Sequence, residues 1–163
     1  MKKATDSGFT LIELLVVIAI IGILSTLAVV ALNSARQKSR DSKRVADIKQ
    51  IQTALELYYS DKHGYPPAPT GGDALGNGNA LALCDTGWSA TACAATTYMG
   101  LAPKAPSPSD GICPTAAAGP GDANPYIYTM SNSGATYSIV FCLGSQVGDL
   151  LGGLHTANPN GMQ

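Results

Sequence analysis

Charge is scarce in this chain, and what there is lies unevenly. Only 13% of its 163 residues are charged, with 10 Lys and Arg against 11 Asp and Glu. That near balance excludes a basic nucleic-acid-binding surface and gives no support to an acidic disordered tail. Proline is missing before Pro66 and cysteine before Cys84, and Lys104 is the single basic residue after Lys62. The halves are therefore unlike: a front with neither proline nor cysteine, and a back rich in Gly, Pro, Ala, Ser and Thr. Catalytic constellations are missing too. His63 and His155 sit in no visible triad, and Ser107 and Ser109 lack a nucleophile-elbow context. Neither a phosphate loop nor a dinucleotide fingerprint is present. The chain does not read as an enzyme, and its length leaves room for one ordinary domain.

What the front half has is a long apolar run. Phe9 to Leu32 is a 24-residue stretch with one charge, Glu13, and the 19 residues from Leu14 to Leu32 carry none. About 20 apolar residues in a helix span the roughly 30 Å hydrocarbon core of a bilayer. A secretory signal peptide would place small residues after its apolar region; here Ser7-Gly8 come before it. From Arg36 to Lys62 the chain is polar, yet Val45, Ile48, Ile51, Leu55 and Tyr58/Tyr59 recur at three- and four-residue steps, one apolar face of an amphipathic helix. These segments read as one nearly continuous helix from residue 9 to about 62, about 80 Å long. Gly64 and Pro66-Pro67 end it. Gly22 costs about 1 kcal/mol relative to alanine and marks the expected place for a kink. The basic residues Arg36, Lys38, Arg40, Lys43 and Arg44 read as a solvated face shared with Asp41 and Asp47, with pairing to acids on adjacent subunits or to anionic lipid heads as the alternatives. Counted naively by charge around the apolar run, they would hold the back half inside the cell. The cysteines argue for export instead.

In the back half, Tyr126 to Met130 and Thr136 to Leu143 alternate apolar and polar residues, with Asn132-Ser133-Gly134 as a hairpin turn between them. Thr96 to Leu101 is a shorter strand candidate. The hairpin is expected to receive Val45, Ile48, Ile51 and Leu55, with Leu150-Leu151 and Leu154 returning the tail to that layer. The four cysteines, Cys84, Cys93, Cys113 and Cys142, are even in number and confined to this loop-rich half, so they read as disulfides. Of the three possible pairings, Cys84–Cys93 with Cys113–Cys142 is favoured. Each bridge would stabilise by roughly 2–4 kcal/mol. A zinc site recruiting His63 or His155 is disfavoured without a C-x₂-C pair. No cofactor is called for. A calcium loop from Asp110, Asp122 and Asn124 matches no defensible cation spacing, and solvated turn residues are the favoured reading.

The junction carries a motif. Lys2 and Lys3 begin a short basic leader, followed by Gly8-Phe9-Thr10-Leu11-Ile12-Glu13 and the apolar run. This combination resembles the processing motif of the type IV pilins and pseudopilins. Leu55-Glu56-Leu57-Tyr58 through Gly64-Tyr65-Pro66 also resembles the end of the long helix in major pseudopilins of type II secretion. The resemblance implies cleavage between Gly8 and Phe9 by a prepilin peptidase, N-methylation of Phe9, and a role for Glu13 in assembly and register. A carboxylate in an apolar span costs about 2.5–3.5 kcal/mol on insertion scales. Pairing it with the terminal amine of a neighbouring subunit would offset that cost and fix register. The implied fold is α+β and lollipop-like, a long N-terminal helix packed on a small antiparallel β-sheet head. Residues 1–8 would be the leader, 9–32 the transmembrane and filament-core segment, 33–65 the amphipathic half of the same helix, and 66–163 the exported, disulfide-tied head.

The implied function is that of a structural subunit, anchored in the cytoplasmic membrane by one span before assembly. An inner-membrane platform with its ATPase then polymerises it into a homo-oligomeric helical filament. The cysteines and long loops favour a surface pilus over a type II secretion pseudopilus, while the helix end favours the pseudopilus. A single-pass anchored binding protein is the alternative of another class. Two features depart from the family pattern. Many pilins carry a proline within the apolar helix, absent here, and the cysteines are not a single late pair.

Overall fold

A computed structural model describes residues 8–72, 74–111, 113 and 124–163. The leader residues Lys2 and Lys3, and Asp122 of the calcium reading, lie outside the described residues. The chain divides into two compact units, Met1–Arg36 and Gln37–Gln163. One helix, α1 (Leu11–Lys62), begins in the first and ends in the second.

In the first unit the helix runs through Gly22 without interruption, so the expected kink is not there. A Cβ at Gly22 would meet nothing within 4 Å, so no contact within the chain requires glycine there. Thr26, polar within the apolar run, donates its hydroxyl to the carbonyl of Ile23 at 2.8 Å and so needs no outside partner. Every described residue from Gly8 to Arg36 is exposed.

In the second unit α1 ends where His63 turns left-handed (φ 56°) and donates its amide to the Tyr59 carbonyl at 2.8 Å. This is a helix stop of the αL kind, placed one residue before the glycine that the sequence suggested. Tyr65 then donates its amide to Gly134 at 2.8 Å. Gly134 has φ +91°, and a Cβ there would lie 3.3 Å from the Tyr65 carbonyl, so this close crossing needs glycine.

Two antiparallel sheets follow. The small one has strand order β2-β1-β3, from β1 (Ala82–Cys84), β2 (Gly87–Ser89) and β3 (Thr97–Met99). The larger has order β4-β5-β6-β7, from β4 (Ile127–Ser131), β5 (Thr136–Leu143), β6 (Gly153–Asn158) and β7 (Gly161–Met162). The β4–β5 register sets Tyr128 opposite Ile139 and Met130 opposite Tyr137, which follows from period-2 alternation. Tyr128, Tyr137, Ile139, Phe141 and Leu143 form one core with Ile48, Ile51, Leu55 and Tyr58 of the helix. Two of the buried tyrosines have their hydroxyls satisfied: Tyr128 donates to the Pro66 carbonyl at 2.7 Å and Tyr126 to Asp47 at 3.0 Å. The architecture is α+β. Leu150 packs against the core as expected, but Leu151 and Leu154 are exposed; β6, paired with β5, turns Ala157 inward and Leu154 out. Cys84–Cys93 ties β1 to the loop before β3, with Cα atoms 5.3 Å apart. Cys113–Cys142 ties the loop after Asp110 to β5, with Cα atoms 6.1 Å apart.

Leu55 is fully buried and Leu57, two residues on, is 55% exposed. Leu55→Ala should cost about 2–5 kcal/mol, whereas Leu57→Ala should stay within about 0.5 kcal/mol. Chemical denaturation of the two variants, followed by tyrosine and tryptophan fluorescence, checks the contrast.

Candidate functional site

Two places concentrate chemistry, one in each unit. In the first, Gly8 and Phe9 precede the helix in open, exposed chain; Phe9 is 79% exposed. A Cβ on Gly8 would meet nothing within 4 Å. Packing within this chain therefore does not demand glycine there, and any such demand comes from outside the fold.

Thr10 and Glu13 form a reciprocal cap. The Glu13 carboxylate accepts the Thr10 amide at 2.8 Å and the Thr10 hydroxyl at 2.6 Å, while the Glu13 amide donates back to that hydroxyl at 3.3 Å. Thr10 is thus the N-cap and Glu13 the third helical residue, a capping box. A negative group at this end is also favoured by the helix dipole. The Thr-x-x-Glu spacing was visible in the sequence; the motif was read for its processing signal and its capping role was missed.

The second place is a buried charge cluster. Arg40 grips Asp110 with a two-pronged fork, Nε to Oδ2 and Nη2 to Oδ1, both 2.6 Å. Arg44, fully buried, donates from Nη1 to Asp41 at 2.7 Å and to Asp110 at 3.0 Å, and from Nη2 to the Pro106 carbonyl at 3.0 Å. Asp41 Oδ1 also accepts the Gly144 amide at 3.0 Å, and its Oδ2 accepts the Ser145 amide at 2.8 Å and the Ser145 hydroxyl at 2.7 Å. Two cations meet two anions, and the cluster is neutral as a whole. Gly144 allows the close approach: a Cβ there would stand 2.5 Å from Asp110 Cβ.

This corrects two expectations. Arg40, Arg44, Asp41 and Asp47 are not a solvated face, because they turn inward to reach Asp110, Tyr126 and the β5 end. Asp110 and Asn124 are not solvated turn residues either; both are buried, and Asn124 donates its side-chain amide to the Asp110 carbonyl at 2.8 Å. With two guanidiniums on its carboxylate, Asp110 is unavailable to a cation. Among the described residues no group of three or more His, Cys, Asp and Glu side chains is placed to hold a metal. Asp110 lies 66 and 70 positions from its two arginines, so no local pattern announced it.

Two of the three buried aspartates, Asp110 and Asp47, respond to acid with opposite sign. The hydrogen bond from Arg40, assisted by Arg44, holds the Asp110 carboxyl below the ordinary carboxylate range. The stability it supplies is present above about pH 3.9, the unfolded value, and drains as pH falls through the lower folded one. Burial pushes Asp47 upward despite its bond from Tyr126. Its ionised form is therefore a cost at neutral pH, which protonation relieves. Asp110→Asn should lose about 3–5 kcal/mol and flatten the acid limb below about pH 4. Asp47→Asn should remove the rise on acidification while keeping the Tyr126 contact. Thermal unfolding from pH 7 to pH 2 reads both effects.

The sequence signature described as the prokaryotic N-terminal methylation motif matches residues 3–29. Type II secretion system core protein G of Aeromonas hydrophila is 44% identical over 77 residues, 47% of this chain and 54% of that protein. Its counterpart in Escherichia coli K12 is 43% identical over 75 residues, 45% of this chain and 52% of that protein. That of Pseudomonas aeruginosa PAO1 is 40% identical over 75 residues, 46% and 53% of the two chains. The chain thus spans about half the length of the curated relatives it matches. No solved structure matches it. The relatives' names belong to secretion systems, which favours the pseudopilus over the pilus that the cysteines had suggested. The chain carries the N-terminal methylation motif of the type IV pilin and pseudopilin family, and resembles its type II secretion major pseudopilins.

Proposed function

We propose that this chain is a major pseudopilin, a structural and non-catalytic subunit of a type II secretion pseudopilus. The observation that carries the reading is a methylation motif leading directly into a helix exposed on every side and long enough to span a bilayer. In this reading a prepilin peptidase cuts between Gly8 and Phe9 and methylates the Phe9 amine. Residues 9–32 hold the subunit in the cytoplasmic membrane with the disulfide-tied head exported to the periplasm. An assembly platform and its ATPase then move it into a helical filament of identical copies.

Glu13 works in two settings. Thr10 occupies its carboxylate while the subunit is alone, so the charge is hydrogen-bonded rather than bare. On assembly a neighbouring Phe9 amine supplies a full opposite charge, and the exchange favours the one axial position in which the two meet. Lipid and protein interior are similarly apolar, so moving residues 9–32 between them costs little hydrophobic energy. The direction of transfer then comes from packing, the Glu13 pair and the motor.

Mass spectrometry of the native protein should find a mature chain that starts at N-methylated Phe9. A full-length monomer that keeps Met1 to Gly8 would support the anchored binding protein instead. Deleting the gene should abolish exoprotein secretion with no surface filament lost; loss of sheared surface filaments with secretion intact would restore the pilus reading. Glu13→Val should leave membrane insertion intact and block incorporation into filaments, and normal assembly by that variant would remove the pairing argument.

A further inference from the structure

The stretch after the apolar run holds six cations, Arg36, Lys38, Arg40, Lys43, Arg44 and Lys49, against two acids, Asp41 and Asp47. The fold of the second unit sorts them by sign. Both acids are buried, and Arg40 and Arg44 are held by Asp110 and Asp41. Lys38, Lys43 and Lys49 are exposed, and none of them makes an ion pair among the described residues. From Gln37 to Leu55 the charges that the helix shows to solvent are therefore positive, because its own acids have been used inside.

A face of one sign needs a partner of the other. Among the described residues a second copy offers few exposed acids: Glu13, Glu56, Asp61 and Asp149, with Asp85 half-buried. Glu56 and Asp61 already accept hydrogen bonds from Tyr65 and Tyr98, and Asp149 stands alone in a turn. An anionic bilayer surface offers continuous negative charge instead, and Lys38 follows Leu32, the last residue of the charge-free run, by only six positions. Distance decides which lysines use it. The headgroup layer on each side of a bilayer is roughly 5–8 Å deep, and screening at physiological salt sets in over about 8 Å. Five residues of helix raise Lys43 about 7.5 Å beyond Lys38, and Lys49 stands about 9 Å further still.

We propose that Lys38 and Lys43 form a binding face for the headgroups of anionic phospholipid, used while residues 9–32 anchor the chain. Lys49 lies beyond its reach. The proposal needs the apolar segment to insert and does not need the chain to polymerise, so it stands or falls separately from the pseudopilin reading. Each lysine near an anionic surface contributes about 1 kcal/mol, or about fivefold.

The test uses the full chain reconstituted at about one copy per vesicle, in phosphatidylcholine alone or with 30% phosphatidylglycerol. Amine acylation is mapped residue by residue by mass spectrometry. Lys38 should react about fivefold more slowly in the anionic vesicles and Lys43, about one screening length further out, about twofold, effects that 0.5 M salt removes, while Lys49, Lys62 and Lys104 react alike in both. Equal reactivity of Lys38 and Lys43 in the two lipids would overturn the proposal. Protection that follows protein density rather than lipid charge would also overturn it, and would assign the face to the acids of a second copy.

Discussion

Nothing among the described residues of this chain covers its apolar segment. Side chains such as Leu11, Ile18, Ile23 and Val30 are exposed around the whole circumference of the helix, and not along one stripe. Apolar surface left in water costs about 25 cal/mol per Å², so a cover must come from outside, as lipid or as other copies. The polar groups of this segment are consistent with that demand. Thr26 bonds to its own helix and Glu13 bonds to Thr10, so the Thr26 hydroxyl and the single carboxylate of the segment are already hydrogen-bonded within the chain.

The second unit solves the opposite problem. Its core sets tyrosines, whose hydroxyls need partners, among the aliphatic side chains of the helix and of β5. Its chain also includes long loops that must be held down. Two devices hold them: the disulfides, and the cluster in which Arg40 and Arg44 of the helix clasp Asp110 of the loop. A buried ion pair of this kind adds little net stability over a well-packed apolar core, yet it is expensive to break from one side. Its value here lies in fixing where the loop sits. Asp110 is positioned through Arg40, Arg44 and the bridge at Cys113.

Much of this was legible before the structure. The three- and four-residue recurrence of Ile48, Ile51 and Leu55 marked the buried helix face, and the alternation of Tyr137, Ile139, Phe141 and Leu143 marked β5. Both signals are periodic and local. The misses are of other kinds. Strands β1 and β2 are three residues each, too short for alternation to register. Strand β6 is organised by hydrogen bonding to β5, and its most apolar residue, Leu154, faces outward. The inward turn of Arg40 and Arg44 depends on an aspartate far along the chain, which a helical wheel cannot reveal. The Thr10–Glu13 cap was readable from spacing alone; its residues had already been given another meaning, and the second one was overlooked.

The central claim is that residues 9–32 exchange one apolar surround for another, lipid first and then copies of themselves. A photo-crosslinking residue at Val17, activated in cells, tests it most directly. The account predicts lipid adducts when assembly is blocked, and adducts to residues 9–32 of another copy when it proceeds. Adducts that remain with lipid under both conditions, or that form with an unrelated protein, would contradict it.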